Sequence, residues 1–341
     1  MYQFIPGLAL NRNFYHDIIL RLLKQEYPEL PYAAALIGYG SDVLGFDTPT
    51  SMDHNWGPRM QIFLTESDFP ELGHQINEML RWKLPFSFQG FPTNFTDPRY
   101  DHTQTMLPTT AYPIRHLIEV STVERYIAGR LPLESLSDIT LAEWMRFTDQ
   151  KLLELTQGEV FYDGLHSLTR LRDQLRFYPR DIWLLRLAAQ WEAVSQQEAF
   201  IGRCRELHDL LNLKLLAGRL IALLMKICFY LERRYIPYSK WFGRGFQQLN
   251  CYAGVHQQML GILLEGDPES VESELANLYE HVVDLNNANF DLPKIENRTR
   301  NFFGRPYMVI FAETIVETLC ATSKMNRSNR PTSSGMRLIS R

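Results

Sequence analysis

The spacing of apolar residues changes along the chain. Up to about residue 130, short apolar runs alternate with stretches in which apolar residues recur every three or four positions. The first pattern is typical of buried strands and the second of amphipathic helices. Together the two patterns predict helices over residues 13–25 and 69–82 and strands over residues 32–37, 60–64, 86–88 and 117–120.

From about residue 141 the helical spacing dominates. One stripe comprises Leu184, Leu187, Ala188, Trp191 and Val194, and a second comprises Leu220, Leu223, Leu224, Ile227 and Leu231. Both follow the i, i+3, i+4, i+7 spacing of a helix with one buried face. Further helices are predicted over residues 255–265, 268–285 and 308–322. The pattern predicts an α+β fold: a small mixed-sheet domain (residues 1–135), an all-α helical bundle domain (136–323) and a disordered basic tail (324–341).

Composition narrows the class of protein without deciding it. The chain has 341 residues, 45% of them hydrophobic, and a formal net charge of -4, so global charge does not indicate a nucleic-acid partner. Lys214, Arg219 and Lys226 interrupt the most apolar helical stretch, which argues against a bilayer span. The N-terminus lacks the basic start, apolar stretch and small-residue cleavage site of a secretion signal. We therefore expect a cytoplasmic protein with no membrane partner.

Candidate chemistry is concentrated in one segment, which reads GYGSDVLGFDTPTSMDHNWGPRMQIFL (38–64). Gly40 and Ser41 follow an apolar run, and a turn at that place offers backbone N–H groups and a hydroxyl to phosphate oxygens. Asp53 and Asn55 precede the next apolar run. If they lie on a strand, side chains at i and i+2 face the same way and would point together at what the turn holds.

A third oxygen ligand is expected from a neighbouring strand. Glu119 lies inside the short apolar run over residues 116–120, where an acid needs a partner or a metal ion. Its alternative role is an ion pair with Arg115 or Arg125 at the end of the strand. Hard oxygen ligands at fixed separation suit Mg²⁺, which neutralises charge on transferring phosphates.

Two cations admit both a binding and a structural interpretation. Arg59 can contact a phosphate bidentately, whereas the preceding Gly57-Pro58 pair simply predicts a bend before the strand. Lys240 can contact nucleotide phosphates, or belong to a cationic and aromatic helix end that closes a domain interface.

The candidate segment and several later stretches resemble known protein families. Gly40-Ser41, eleven residues and then Asp53-His54-Asn55 resemble the Gly-Ser and Asp-x-Asp signature of the DNA polymerase β-like nucleotidyltransferase superfamily. The segment also resembles an uncharacterised bacterial family in which a nucleotidyltransferase-like domain precedes a helical domain of unknown function. Further matching stretches are GEVFYD (158–163), FYPRDIWLL (177–185), LERRYIPYSKWFG (231–243) and FFGRPY (302–307).

The resemblance assigns roles to individual positions. It implies that Ser41 contacts phosphate and that Asp53, Asn55 and Glu119 are the first, second and third metal ligands. The family pattern at positions 53–55 is Asp-His-Asp, so Asn55 departs from it and supplies no negative charge. Compensation by Asp42 or Asp47 is the less favoured interpretation, because acids in such turns are usually exposed.

The sequence thus predicts a cleft between the two domains that holds Mg²⁺ and a nucleoside triphosphate, with ATP as the expected nucleotide. Asp53 and Glu119 are the candidate catalytic residues, and Gly40, Ser41, Arg59 and Lys240 the candidate nucleotide-binding residues. If active, the protein would transfer a nucleoside monophosphate to an unidentified hydroxyl-bearing acceptor. The alternative, which Asn55 favours, is a catalytically degenerate nucleotide-binding or regulatory module.

Overall fold

The computed structural model describes residues 3–99, 102–133, 136 and 138–324. Its chain divides into two compact units, with the division between Arg176 and Phe177. We call the first of them unit 1 and the second unit 2. The predicted tail over residues 324–341 lies outside the described residues, apart from Lys324.

Unit 1 contains a small set of helices and strands. Its helices are Gly7–Phe14 (α1), Leu20–Glu26 (α2), Phe69–Lys83 (α3), Val123–Ala128 (α4), Leu141–Arg146 (α5), Asp149–Thr156 (α6) and Ser167–Gln174 (α7). A π-helical turn over Tyr15–Ile19 joins α1 to α2, and Pro49–Asp53 forms a short 3₁₀ helix. The strands are Tyr32–Leu36 (β1), Arg59–Leu64 (β2), Ser87–Phe88 (β3), Phe91–Pro92 (β4), Leu117–Thr122 (β5) and Glu159–Asp163 (β6).

Four of these strands form a mixed sheet in the order β5-β2-β1-β6. Strand β1 pairs antiparallel with β2 and β6, whereas β2 and β5 run parallel. In this register Gln61 lies beside Ala35 on one side and Glu119 on the other. Since side chains alternate along a strand, Arg59 and Gln61 share one face of the sheet with Glu119. The opposite face packs into a hydrophobic core, which includes Ala34, Met60, Ile62 and Ile118.

Strand β6 is a difference from the sequence analysis, which predicts no strand after residue 141. Its five residues alternate too weakly in polarity to signal a strand, yet they pair with β1 and complete the sheet. Gly158, with φ +76°, turns the chain into β6. The compact unit therefore extends to residue 176 rather than to the predicted boundary at residue 135.

Local capping explains several helix boundaries. Thr140 begins α5 with a reciprocal capping box to Glu143, and the Thr148 hydroxyl accepts a hydrogen bond from the Lys151 N–H at the start of α6. Such caps satisfy backbone N–H groups that a helix leaves unpaired in its first turn.

Unit 2 is helical, in agreement with the predicted fold class. Its helices are Arg180–Ser195 (α8), Glu198–Glu206 (α9), Leu210–Leu231 (α10), Ser239–Phe246 (α11), Tyr252–Leu264 (α12), Pro268–Ala288 (α13) and Ala312–Thr322 (α14). A two-stranded ribbon joins Arg300–Asn301 (β7) to Met308–Val309 (β8). Helix α8 is buried on nearly all sides. Within the described residues, no helix combines the length and the apolar character needed to cross a membrane.

One histidine in unit 1 links α3 to β5. His116 Nε2 lies 3.3 Å from the Asn77 carbonyl oxygen, and its Nδ1 accepts a hydrogen bond from the Ile118 N–H at 3.1 Å. Burial lowers the pKa of His116 to about 4, against an ordinary value of 6.5. The folded protein therefore holds this ring neutral across the range in which the unfolded chain protonates it.

This depressed pKa predicts a pH dependence of stability. The unfolded chain binds the proton below about pH 6.5 and the folded protein only below about pH 4. The contribution of the neutral His116 ring to the unfolding free energy is fully present above pH 6.5 and is lost as the pH falls to 4. The expected loss is roughly 3 kcal/mol, at about 1.4 kcal/mol per pKa unit. The measurement is the unfolding free energy of wild type and His116→Gln between pH 4 and 7.5. If the difference between them does not change with pH, the ring does not titrate in this way.

Candidate functional site

A glycine-containing turn follows β1 at the edge of the polar face of the sheet. Gly38 and Gly40 have φ angles of +96° and +129°, a region that glycine enters without strain. The Gly38 N–H donates to the backbone carbonyl of Glu154 at 2.7 Å. Among the described residues, we find no hydrogen-bond partner for the next four backbone N–H groups, at residues 39–42, or for the Ser41 hydroxyl. We call residues 38–42 the glycine turn.

A buried ion pair lies directly against this turn. Arg59, only 3% exposed, donates from Nη2 to Asp42 Oδ1 at 2.7 Å and from Nε to Asp42 Oδ2 at 3.1 Å. Its Nη2 also donates to the Tyr39 carbonyl at 2.9 Å. A Cβ added at Gly40 would overlap both Asp42 and Arg59, so only glycine allows the turn to approach the pair this closely. Burial by itself lowers the pKa of Arg59, but the Asp42 carboxylate more than offsets this and raises it.

This geometry favours the structural interpretation of Arg59. Its guanidinium is paired bidentately with Asp42, so a bound phosphate could recruit it only if that pair opened. Asp42 is likewise engaged and is not placed as a substitute metal ligand. The Arg59 side chain lies beneath the turn and not within reach of solvent. Its predicted nucleotide-binding role stays a prediction.

A second polar network fixes the start of the chain against the same segment. Asp47 Oδ2 accepts hydrogen bonds from the Gly7 N–H at 2.7 Å and from the Trp56 indole N–H at 3.0 Å. Asn11, fully buried in α1, accepts from the Arg59 N–H at 2.7 Å and donates to the carbonyls of Gly7 and Gly57. Asp47 therefore positions α1 and Trp56, and is not available to replace a missing metal ligand.

Asp53 is an exposed residue at the end of the 3₁₀ helix. Its side chain is 62% exposed and lies 3.0 Å from the Nδ1 atom of the adjacent His54. The other carboxylate oxygen accepts a hydrogen bond from the His54 N–H. Its predicted roles as metal ligand and catalytic residue stay predictions, and its contacts in this structure are local.

Asn55 adopts a left-handed backbone conformation, with φ +48°. Its N–H donates to the Gln104 carbonyl at 2.7 Å, and its side-chain oxygen accepts from the Gln104 N–H at 2.9 Å. Strand β2 begins only at Arg59, so the expectation that Asp53 and Asn55 share a strand face is wrong. Asparagine adopts a positive φ angle more readily than most residues do. The local backbone conformation therefore gives a structural reason for an asparagine at position 55.

Glu119 does lie on a strand, on the same face as Arg59 and Gln61. Its exposed carboxylate is 3.5 Å from Arg130, rather than from the two arginines proposed as alternative partners. Arg115 instead contacts Asp97 at 2.5 Å, and Arg125 lies 3.8 Å from Glu66. Glu119 is thus the one predicted metal ligand that the fold places on the polar face of the sheet.

The three predicted ligands do not fit a ready-made Mg²⁺ site. Asp53 contacts His54, Asn55 is held by Gln104, and Glu119 faces Arg130. The described residues also contain no group of three or more His, Cys, Asp or Glu side chains arranged to hold a metal ion. Magnesium binding therefore stays a prediction from the sequence.

Lys240 belongs to unit 2, where it is the second residue of α11. Its ammonium lies 5.1 Å from the ring centroid of the neighbouring Trp241, a cation–π distance. The aromatic residues around it pack within unit 2, as in the contact of Phe229 with Phe242 at 5.8 Å between centroids. The predicted phosphate contact of Lys240 stays a prediction.

Sequence reasoning did not identify Tyr39 and Tyr126 as parts of the site. The Tyr39 ring is 49% exposed beside the glycine turn and lies 5.3 Å from the Arg59 guanidinium. Tyr126 is buried under the turn, where its hydroxyl donates to the Ile37 carbonyl at 3.2 Å. The position of Tyr39 between Gly38 and Gly40 was a usable signal, but nothing in the sequence places Tyr126 at this site.

Comparisons with known proteins add little to this geometry. The family model described as "Domain of unknown function (DUF4037)" matches residues 144–242, which span β6 and the start of unit 2. This supports the predicted relationship to an uncharacterised family. A solved nucleotidyltransferase-like protein from Exiguobacterium sibiricum is 11% identical, with 87% of this chain and 82% of that chain covered and a TM-score of 0.36. At this sequence identity and TM-score, the similarity supports no conclusion about this chain. The comparison with curated proteins found no match.

Proposed function

We propose that unit 1 is a nucleotide-binding module: the glycine turn holds the phosphate chain, Tyr39 supports the base, and no nucleotidyl transfer takes place. The observation that carries this proposal is the run of four backbone N–H groups at residues 39–42, which have no partner within the described chain. Successive N–H groups in a concave turn form a site for phosphate oxygens, and the adjacent Ser41 hydroxyl adds a further donor.

The turn is pre-organised for such a ligand. Gly38 is anchored to Glu154, and Arg59 holds the Tyr39 carbonyl and Asp42 from below. These contacts fix the backbone before any ligand arrives, so binding need not order the loop. The Asp42–Arg59 pair is neutral as a unit, and the Asp42 charge that would repel a phosphate is therefore compensated.

Tyr39 makes a nucleotide a better candidate than inorganic phosphate. Its ring is exposed, adjoins the unpartnered N–H groups and rests against the Arg59 guanidinium. Stacking of a base on an aromatic ring contributes about 1–3 kcal/mol and tolerates every base. A nucleoside triphosphate such as ATP therefore fits this surface, and the stacking contact does not select among the bases.

Transfer chemistry lacks comparable support. Nucleotidyl transfer requires carboxylates that hold metal ions against the triphosphate. Here Asn55 supplies an amide already bound to Gln104, and Asp53 lies in a 3₁₀ helix rather than on the strand. Of the roles that the resemblance implies, phosphate contact by the turn is the one that these contacts favour.

The test of the turn is a charge introduced at Ser41. In full-length protein, we expect Ser41→Asp to weaken ATP binding at least tenfold, about 1.4 kcal/mol, because a carboxylate beside the N–H groups repels phosphate. Ser67→Asp is the matched control, since Ser67 is exposed at the far end of β2 and carries the same charge change. Isothermal titration calorimetry measures both. Equal affinity in the two variants would remove the turn from the binding site.

The base contact has a separate test. Tyr39→Ala is expected to weaken ATP binding by about tenfold while tripolyphosphate binding stays the same, because only the base is supported by the ring. Tyr162→Ala, which removes another exposed ring of unit 1, is the control. A parallel loss of ATP and tripolyphosphate affinity in Tyr39→Ala would show that the ring maintains the turn instead of stacking on a base.

A further inference from the structure

A cavity lies in unit 1 between α3 and the segment that leads into β5. Its volume is about 310 Å³, and its walls include Asn77, Arg81, Asn94, Arg115 and His116. None of the described residues that line it is Asp or Glu. Its lining thus includes two arginines and two asparagines, residues whose side chains carry several hydrogen-bond donors.

The walls of this cavity are fixed by three consecutive residues. The Ile114 N–H donates to the Arg81 carbonyl at 2.9 Å, and the Arg115 N–H donates to Asn94 Oδ1 at 2.8 Å. His116 completes the set through its contact with the Asn77 carbonyl. The backbones of the two arginines are thus held in place by the fold, at the end of α3 and in the segment before β5.

Asn94 is itself oriented by this arrangement. Its side-chain amide donates to the Leu107 carbonyl at 3.0 Å while its oxygen accepts from Arg115. The Asn77 amide, in contrast, has no side-chain partner among the described residues. It is half-buried on α3 and is free to bond to a ligand in the cavity.

The arginines keep enough freedom to bind an anion. Their side chains are 38% and 46% exposed, and each pairs with one surface acid: Arg81 with Glu78 at 2.6 Å and Arg115 with Asp97 at 2.5 Å. Exposed ion pairs contribute little to stability, so a ligand that bridges both arginines can displace these acids at small cost. A phosphate dianion accepts bidentate hydrogen bonds from more than one guanidinium at a time, whereas a carboxylate is smaller and carries one charge.

From these observations we infer that the cavity binds the phosphate group of a phosphate monoester, between Arg81 and Arg115 and with the Asn77 amide as a further donor. This site is separate from the glycine turn and does not depend on the proposed function. A cavity of this volume holds a phosphate with part of the group it is attached to.

The experiment uses full-length Ser41→Asp protein in EDTA, so that binding at the glycine turn is weakened and metal ions are absent. AMP, inorganic phosphate and acetate are titrated by calorimetry at pH 7.5. We expect saturable binding of AMP and phosphate and none of acetate. Adding Arg81→Gln and Arg115→Gln is expected to weaken AMP binding at least tenfold. The charge-matched control, Arg21→Gln with Lys24→Gln on the exposed face of α2, is expected to leave it unchanged.

Three outcomes would overturn the inference: no binding of AMP in the Ser41→Asp protein, undiminished binding after loss of both arginines, or equal binding of acetate. Because Arg81 and Arg115 are exposed, the variants are expected to fold, and their melting temperatures without ligand verify this. Arg81→Lys with Arg115→Lys keeps the charge but loses the guanidinium geometry, and is expected to give intermediate affinity. Failure of the glycine turn to bind ATP in the wild type would leave these results standing.

Discussion

Replacing Asp42 with alanine is expected to lower the unfolding free energy of unit 1 by about 3–5 kcal/mol, because it leaves the Arg59 charge buried without its partner. Arg59 is 3% exposed and its side chain is enclosed by the glycine turn, so water cannot replace the lost carboxylate. The Arg59 contact with the Tyr39 carbonyl would also lose its orientation. Chemical denaturation, followed by tryptophan fluorescence, measures the change.

Two variants separate the loss of the buried ion pair from a general loss of stability on removing any carboxylate of this segment. Asp53→Ala removes a carboxylate that is 62% exposed, and its effect is expected to stay within about 0.5 kcal/mol. Asp42→Leu with Arg59→Met removes both charges together and is expected to recover much of the loss, as apolar replacement of a buried pair often does. A small effect of Asp42→Ala, similar to that of Asp53→Ala, would contradict a structural role for the pair.

The second large effect is expected at Gly158, where the chain enters β6. A Cβ at this position would overlap the Leu36 carbonyl oxygen of β1, and the φ angle of +76° strains any L residue. Since the obstacle is backbone within the sheet, it cannot move aside without breaking the β1–β6 pairing. Gly158→Ala is therefore expected to cost about 3 kcal/mol or more, combining the left-handed strain with a steric clash.

Gly90 provides the matched control for this prediction. Its φ angle of +86° is similar, but an added Cβ meets no atom within 4 Å. Gly90→Ala is expected to cost only about 1 kcal/mol, the penalty for the left-handed conformation alone. The two variants are compared by denaturation under the same conditions. Equal losses would mean that the contact with β1 contributes nothing beyond backbone strain.

The helical part of the fold was predictable because its apolar spacing is regular. The stripes at residues 184–194 and 220–231 lie in α8 and α10, and the strands predicted over residues 32–37 and 60–64 correspond to β1 and β2. Strand β6 was missed because strand pairing is decided by distant partners. Five residues of mixed polarity carry no periodic signal, and only their pairing with β1 makes them a strand.

The candidate site was predictable in its location but not in the roles of its residues. Gly40 and Ser41 lie in a turn after β1, as expected from two glycines and a serine that follow an apolar run. Arg59 could be interpreted as a phosphate ligand or as a structural residue, and a ligand role for Asp42 or Asp47 was the less favoured interpretation, because a sequence does not show which polar groups meet. In the fold, Asp42 and Arg59 form a buried pair beneath the turn, whereas Asp47 bonds to Trp56 and to the start of α1.

The position of Asn55 illustrates the same limit of sequence patterns. Spacing of two residues predicts a shared face only where the chain is extended, and Asn55 has a positive φ angle. A 3₁₀ helix and a left-handed residue break the extended geometry before β2 begins. Local conformation of this kind depends on the contact with Gln104, which lies 49 residues further along the chain.

The central claim is that the glycine turn binds a nucleotide through backbone N–H groups without relying on metal-bound carboxylates. Its most direct test is calorimetric titration of full-length protein with ATP in the presence of EDTA, for wild type and Asp53→Ala. We expect saturable binding, with affinities of the two proteins within about twofold, a difference of roughly 0.4 kcal/mol. Binding that appears only when Mg²⁺ is added, and that Asp53→Ala abolishes, would contradict the claim and favour the metal-dependent nucleotidyltransferase site.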